Sequence, residues 1–218
     1  MKKVLPVNPL WTGLKAYYTG DNTANDALGV SNGTLTNGAT YATGKINNGF
    51  SLDGTNDFVD ISPSFGNSFS APGSAHSYNA WVYPTNVTDA YNFIIQNGDD
   101  GRGTSMILAT NKLGFFYQGG QNVGYSSATL SANTWSMVTV VYNGSGSVSF
   151  YINGTLSNSV SATWTDAPTT AYTWIGGYRG GAHLFNGTID EVSAWTKALT
   201  ATDITELYNS GSGKQYPL

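Results

Sequence analysis

Residues 185–195 read FNGTIDEVSAW. Ile189, Val192 and Trp195 among small and polar neighbours read as a strand. Asp190 and Glu191 stand in its middle, between Ile189 and Val192. A carboxylate inside an apolar strand is costly unless it is hydrogen-bonded, paired or metal-bound. The stretch that follows, residues 198–209, is the one strong helix signal. Thr200 fits an N-cap and Asp203 the N3 position, where a negative charge suits the helix dipole. Ile204, Leu207 and Tyr208 give one apolar face, and Gly211 and Gly213 stop the helix.

Upstream of that unit the signals are strands and turns. Residues 14–19 (LKAYYT) alternate and lead into a polar loop, 21–33, that holds Asp21, Asn22, Asn25 and Asp26. Residues 49–61 (GFSLDGTNDFVDI) read as a hairpin turning at Asp53-Gly54. Further strands are expected at 77–83, 92–96, 105–109, 113–117, 135–142, 147–152, 156–160 and 172–175. Gly-rich loops follow two of them, at 97–103 and 176–181. Seven Asn-Gly pairs, at Asn32, Asn37, Asn48, Asn97, Asn143, Asn153 and Asn186, supply hairpin chemistry, because both central residues of a tight turn must accept positive φ. Many short strands plus one helix predict an all-β chain: an antiparallel two-sheet β-sandwich (jelly roll) with one short C-terminal helix. Residues 1–13 read as an extended arm and residues 14–218 as one domain.

The 218 residues include no cysteine, which excludes a disulfide framework and a thiolate metal site. Charged residues make up 10% of the chain and the net charge is −4, with no basic stripe, so nucleic acid is not an expected partner. No apolar run reaches the roughly 18 residues of a membrane span. The first residues, MKKVLPVNPLWTG, are broken by Pro6, Asn8 and Pro9 and do not read as a signal peptide.

Three segments resemble a known family: LKAYYTGDNTANDALG, GKINNGFSLDGTNDFVDI and FNGTIDEVSAWTKALTATDITELYN. In this order they look like the laminin G-like group of concanavalin A-like lectin/glucanase jelly rolls. SYNAWVYP and TWSMVTVVYNGSGSVSFYINGTL fit the same family's middle strands, so the resemblance spans about residues 14–209. It implies that the first and last strands are neighbours. It also implies a structural calcium near them, with Asp21, Asn25 and Asp190 as ligands, since calcium takes clustered oxygens. The other reading of the same residues is an Asx-turn loop plus an Asp190 hydrogen-bonded to backbone amides. Both stay open at this point.

The related glucanases place two catalytic glutamates close together on one strand. Here the two glutamates, Glu191 and Glu206, are fifteen positions apart, so a catalytic role is not expected. Gly29-Val30-Ser31-Asn32-Gly33 has nucleophile-elbow spacing but lacks the strand-to-helix context. Sugars are held by aromatic faces and bidentate polar groups. Two loops carry such groups: Asp99, Asp100 and Arg102 in one, Tyr178, Arg179 and His183 in the other, with Trp164 and Tyr125 as stacking faces. The expectation is a non-enzymatic, lectin-like surface protein, read first as a phage virion structural or decoration protein with weak glycan affinity. Its arm would attach it to other virion or surface proteins, and a homo-oligomer stays open. The rival is a carbohydrate-binding module or adhesin of a bacterial secreted protein, extracellular or on the cell surface. A glycan hydrolase comes last.

Overall fold

A computed structural model describes residues 8–66, 69, 71–99, 102–117, 121–163, 172–177 and 183–217. The strands are β1 (Leu14–Tyr18), β2 (Gly33–Thr36), β3 (Thr40–Thr43), β4 (Asn48–Asp53), β5 (Phe58–Ile61), β6 (His76–Pro84), β7 (Asn92–Asp99) and β8 (Arg102–Ala109). They continue as β9 (Lys112–Tyr117), β10 (Gln121–Thr129), β11 (Ser136–Tyr142), β12 (Ser147–Ile152), β13 (Thr155–Ser161), β14 (Thr173–Ile175) and β15 (Asn186–Trp195). One helix, α1 (Ala201–Tyr208), follows. The first sheet runs β13-β12-β11-β6-β15-β4-β3, with β1 also on β15, and the second runs β10-β9-β8-β7-β14-β5-β2. All pairings are antiparallel. The expected two-sheet sandwich is therefore present.

Phe50, Val59, Tyr78, Ile94, Met106, Phe115, Val140, Phe150 and Ile189 fill the space between the sheets. A second apolar layer lies on the outer face of the first sheet. There Leu10, Trp11, Tyr17, Trp81, Met137 and Trp195 meet Leu199, Ile204 and Leu207 of the α1 region. This double cover explains why SMVTVVY in β11 is buried at every position, while SVSFYI in β12 alternates over its first four residues. The helix itself ends as expected: Thr200 Oγ1 accepts from Asp203 N at 3.1 Å, and Asp203 Oδ2 accepts from Thr200 N at 3.0 Å.

The low charge content is met by short polar side chains at the seams. One edge of the sandwich is closed where β10 meets β13. Ser127 N donates to Asn158 Oδ1 at 2.7 Å, Ala128 N to Ser157 Oγ at 2.9 Å, and Asn158 Nδ2 to Tyr125 O at 3.1 Å. Covering edge strands in this way removes a template for aggregation.

Several expectations need correction. Residues 49–61 do not form a hairpin. β4 joins β3 and β15 in the first sheet, whereas β5 joins β2 and β14 in the second. The link is an arch between layers. Asp57, 3% exposed, accepts from Asp53 N and Gly38 N and so replaces the ladder a hairpin would make. Only Asn153-Gly154 among the Asn-Gly pairs is a two-residue strand-to-strand turn, with φ of 51° and 77°. Asn48, Asn97 and Asn186 lie inside strands. The 97–103 loop is largely strand, since Asp99 pairs with Arg102 at the end of the β7–β8 ladder. β10 had no clear signal, because its serines break the apolar alternation.

The arm is not extended over its described part. Asn8 Oδ1 accepts from Leu10 N and caps a 3₁₀ turn, Pro9–Trp11. Leu10 is buried, and Trp11 stacks on Trp195 with ring centroids 6.4 Å apart. Two such apolar side chains gain roughly 1.5–3 kcal/mol each by leaving water, so they dock on the chain's own body. Residues 1–7 lie outside the described residues.

Candidate functional site

β15 changes partners halfway along. Residues 186–189 pair with β4, and residues 192–195 pair with β1. β4 and β1 meet end to end beside it, so closely that a Cβ on Gly20 (φ +70°) would sit 2.8 Å from Gly49 Cα. Asp190 and Glu191 occupy the gap between the two partners. The register against β6 also shifts between Asp190 and Ser193, and Glu191 has φ +52°. A left-handed glutamate inside a strand is a strained conformation held by its surroundings.

Those surroundings are hydrogen-bond donors. Asp190, fully buried, accepts at Oδ2 from Lys45 N (2.8 Å) and Ile46 N (2.9 Å) and at Oδ1 from Glu191 N (2.8 Å). The turn between β3 and β4 presses in so tightly that a Cβ on Gly44 would lie 2.6 Å from Asp190 Oδ2. Glu191, 2% exposed, accepts from the Tyr17 hydroxyl and from Gln215 Nε2 at 2.8 Å. Gln215 Nε2 also donates to Asp21 Oδ2 at 3.0 Å, and Asp21 Oδ1 accepts from Asn48 N at 3.0 Å. Burial pushes the Asp190 carboxyl up to about 7, against the pull of its three amides and with added repulsion from Asp21. Burial likewise raises Glu191 to about 8, with the Gln215 bond opposing.

Asp21 and Asp190 are thus brought to one place, beside the expected β1–β15 pairing. Asn25 is not. It stays exposed, with its N–H on Thr23 Oγ1. The loop residue that carries structure is Asp26, which accepts from Tyr17 N, Leu28 N, Val30 N and Ser31 N at 3.0–3.2 Å. Among the described residues no group of three or more His, Asp or Glu side chains could hold a metal ion. The donors facing Asp21, Asp190 and Glu191 are N–H and O–H groups, so the side chains fit a hydrogen-bonded network better than the oxygen cage calcium needs. Tyr17, Gln215 and the 44–48 turn were not expected here. Nothing in the sequence around Gln215 marks it, because it acts from a tail folded back over the sheet.

A second candidate lies on the outer face of the second sheet. Phe93, Ile107, Ala109 and Phe116 form a buried apolar base, with Tyr91 and Tyr125 half-buried against it. The rings are joined by successive edge-to-face contacts. Centroids are 5.6 Å apart for His183–Tyr91, 4.9 Å for Tyr91–Phe116 and 6.5 Å for Phe116–Tyr125. His183 is exposed, with φ +59°, and its carbonyl accepts from Phe93 N at 3.0 Å. β14 runs against β7, pairing Thr173 with Asn97 and Ile175 with Ile95. His183 therefore lies at the start of β7, and the Asp99–Arg102 pairing lies at its far end. Six residues of strand separate them, about 20 Å at roughly 3.3 Å per residue. Among the described residues, His183 and the Asp99–Arg102 pairing thus lie at opposite ends of β7. Asp100, Trp164, Tyr178 and Arg179, and the side chains of Asp99 and Arg102, lie outside the described residues.

No curated protein matches the chain. Among solved structures, it is similar to domain 4 of AbnA, an extracellular GH43 arabinanase from Geobacillus stearothermophilus in complex with arabinotriose. That match has 20% identity and a TM-score of 0.69, over 88% of this chain and 97% of that one. It is also similar to the binding domain of Paraclostridial Mosquitocidal Protein 1 (18%, TM-score 0.73, 93% and 53% covered). A third is botulinum neurotoxin type C, whose cell entry depends on two ganglioside molecules (17%, TM-score 0.71, 92% and 52%). The chain spans about half the length of the two toxin chains. A laminin G-type family model, described as the Concanavalin A-like lectin/glucanases superfamily, matches residues 53–205. With most of its length under that match and two antiparallel jelly-roll sheets, the chain belongs to the Concanavalin A-like lectin/glucanases superfamily.

Proposed function

We propose that this is a non-catalytic glycan-binding domain whose sugar site is the aromatic patch at the start of β7. The observation that carries this reading is the arrangement His183–Tyr91–Phe116–Tyr125. Tyr91, Tyr125 and His183 reach solvent there over a buried apolar base that includes Phe116, which brings the aromatic surface that sugar stacking needs to one patch. The arabinotriose and ganglioside named for two similar structures support the ligand class. Hydrolysis is disfavoured because Asp190 and Glu191 are sealed from solvent, while a glycosidase pair must flank the scissile bond.

The test is a glycan array followed by titration calorimetry, with and without a chelator. At about 0.5–1.5 kcal/mol per lost ring contact, a Tyr91→Ala, Tyr125→Ala double variant loses about tenfold in affinity. A folded double variant that binds as tightly as the parent removes the platform. A parent with no glycan ligand removes the function. Loss of binding in chelator would return calcium to Asp21 and Asp190. A virion-surface position is the further part of the reading and rests on the sparsely charged, hydroxyl- and aromatic-rich composition. It would have residues 1–7 as the attachment segment. Their deletion then abolishes particle incorporation and leaves glycan affinity unchanged, whereas a secreted module is indifferent to it.

A further inference from the structure

Of the seven Asn-Gly pairs, six are shielded in one way or another. Gly33 N donates to Ala24 O, Gly38 N to Asp57 Oδ1 and Gly98 N to Tyr172 O, each at 2.8 Å. Asn48 and Asn186 are held half-buried in the β4 and β15 ladders. Asn153 is half-buried, and its Oδ1 accepts from Met137 N at 2.9 Å while its own N–H donates to Met137 O at 2.8 Å. Asn143, in the turn between β11 and β12, is different. Gly144 does pack against Gly73 and Ala75, but the Asn143 side chain is exposed and Gly144 N makes no backbone hydrogen bond among the described residues. Asn143 Oδ1 accepts from Ser145 N at 2.8 Å and Ser147 N at 3.0 Å.

We infer that Asn143 is a site of spontaneous modification, where the chain cyclises and loses ammonia. The Gly144 nitrogen gives its proton to solvent and attacks Cγ of Asn143. A C–N bond forms, the bond from Cγ to the side-chain nitrogen breaks, and that nitrogen leaves as ammonia. The resulting succinimide takes up water. Opening on the Cγ side breaks the new C–N bond and leaves an aspartate on an unchanged backbone; opening on the other side breaks the original peptide bond and gives isoaspartate, with one more carbon in the backbone. Two N–H groups already aimed at Oδ1 stabilise the oxyanion that forms on attack, as preorganised donors do in acyl-transfer sites. Glycine lacks the side chain that would crowd the approaching nitrogen. The product adds one negative charge to a chain of net charge −4. The aspartate form keeps both acceptor bonds, whereas isoaspartate disturbs the Asn143 N to Ser147 O bond that starts β12.

The experiment incubates the native protein and a urea-unfolded sample side by side at mildly alkaline pH. Ion exchange and peptide mass mapping then follow all seven pairs, with Asn143→Ser as control. In the native protein Asn143 converts at least tenfold faster than any other pair, and the acidic ion-exchange species is absent from Asn143→Ser. In urea the seven convert at comparable rates, which separates sequence chemistry from selection by the fold. Native conversion first at Asn32 or Asn37, or equal rates at all exposed pairs, overturns the assignment.

Discussion

The buried pair in β15 gives the protein a stability that should fall as pH rises above neutral. Both carboxyls have folded values above their ordinary ones, about 7 for Asp190 and about 8 for Glu191. A raised acid binds more protons folded than unfolded, so its contribution is complete below the unfolded value and is lost as pH climbs through the folded one. His76 acts in the opposite sense, but only below its ordinary value of 6.5, because burial lowers it to about 4. The window from pH 6.5 to 8 therefore isolates the carboxyls. Linkage gives a loss on the order of 2 kcal/mol across it, the larger part from Glu191. Glu191→Gln removes the larger part of this slope, since an amide does not ionise. Urea unfolding at half-unit pH steps, monitored by tryptophan fluorescence, reads the slope directly. Parent stability that rises from pH 6.5 to 8, or a Glu191→Gln variant with an unchanged slope, would refute the reasoning. Millimolar calcium that flattens the parent slope would show the carboxyls to be cation ligands.

Acid should act through the other buried titratable group: His76 sits among Phe69, Tyr78, Phe115 and Tyr142, and stability is lost as pH falls from 6.5 towards 4. His76→Phe flattens that limb in the same urea series, whatever it does to stability at pH 7. Thr200→Ala breaks the capping box and costs about 1 kcal/mol, read as a lower urea midpoint with unchanged slope. Deleting residues 213–218 removes Gln215 from Asp21 and Glu191 and Tyr216 from Trp11 and Tyr17. The truncated chain should unfold at lower urea and show a red-shifted Trp11 emission; equal stability would mean the tail is an ornament on a finished fold.

Much of the sandwich was readable because its strands carry their own burial pattern. β11 shows it as an unbroken buried run of mainly β-branched and apolar residues, and β12 as an alternation of Val148 and Phe150 with half-buried serines. What could not be read was which layer a strand joins. Residues 49–61 have every local feature of a hairpin, yet Asp57 spends its carboxylate on the arch, and β4 and β5 part company. Turn chemistry is local, but sheet membership is decided by partners more than a hundred residues away, such as Gly187 on Leu52 and Trp174 on Asp60. β10 was missed for the complementary reason. Its stability comes from β9 and from side-chain bonds to β13, not from an apolar stripe of its own.

The same distinction explains the carboxylates. Two acids in a strand announce that something must answer them, and the sequence is right about that. It cannot say what answers, because the donors come from three remote places: the 44–48 turn, Tyr17 of β1 and Gln215 of the tail. They converge because β15 is ten residues long while β4 and β1 are six and five, so two short strands must share one long neighbour. Wherever they abut, ladder bonds are missing and backbone N–H groups are left to find acceptors. A buried carboxylate at that junction is the acceptor that fits. On this account the Asp-Glu pair is first a splice between two strands. The prediction that separates it from a ligand site is that Asp190→Ala should unfold the β1–β4 junction, seen as lost amide protection at Lys45, Ile46 and Glu191, with protection in the second sheet retained.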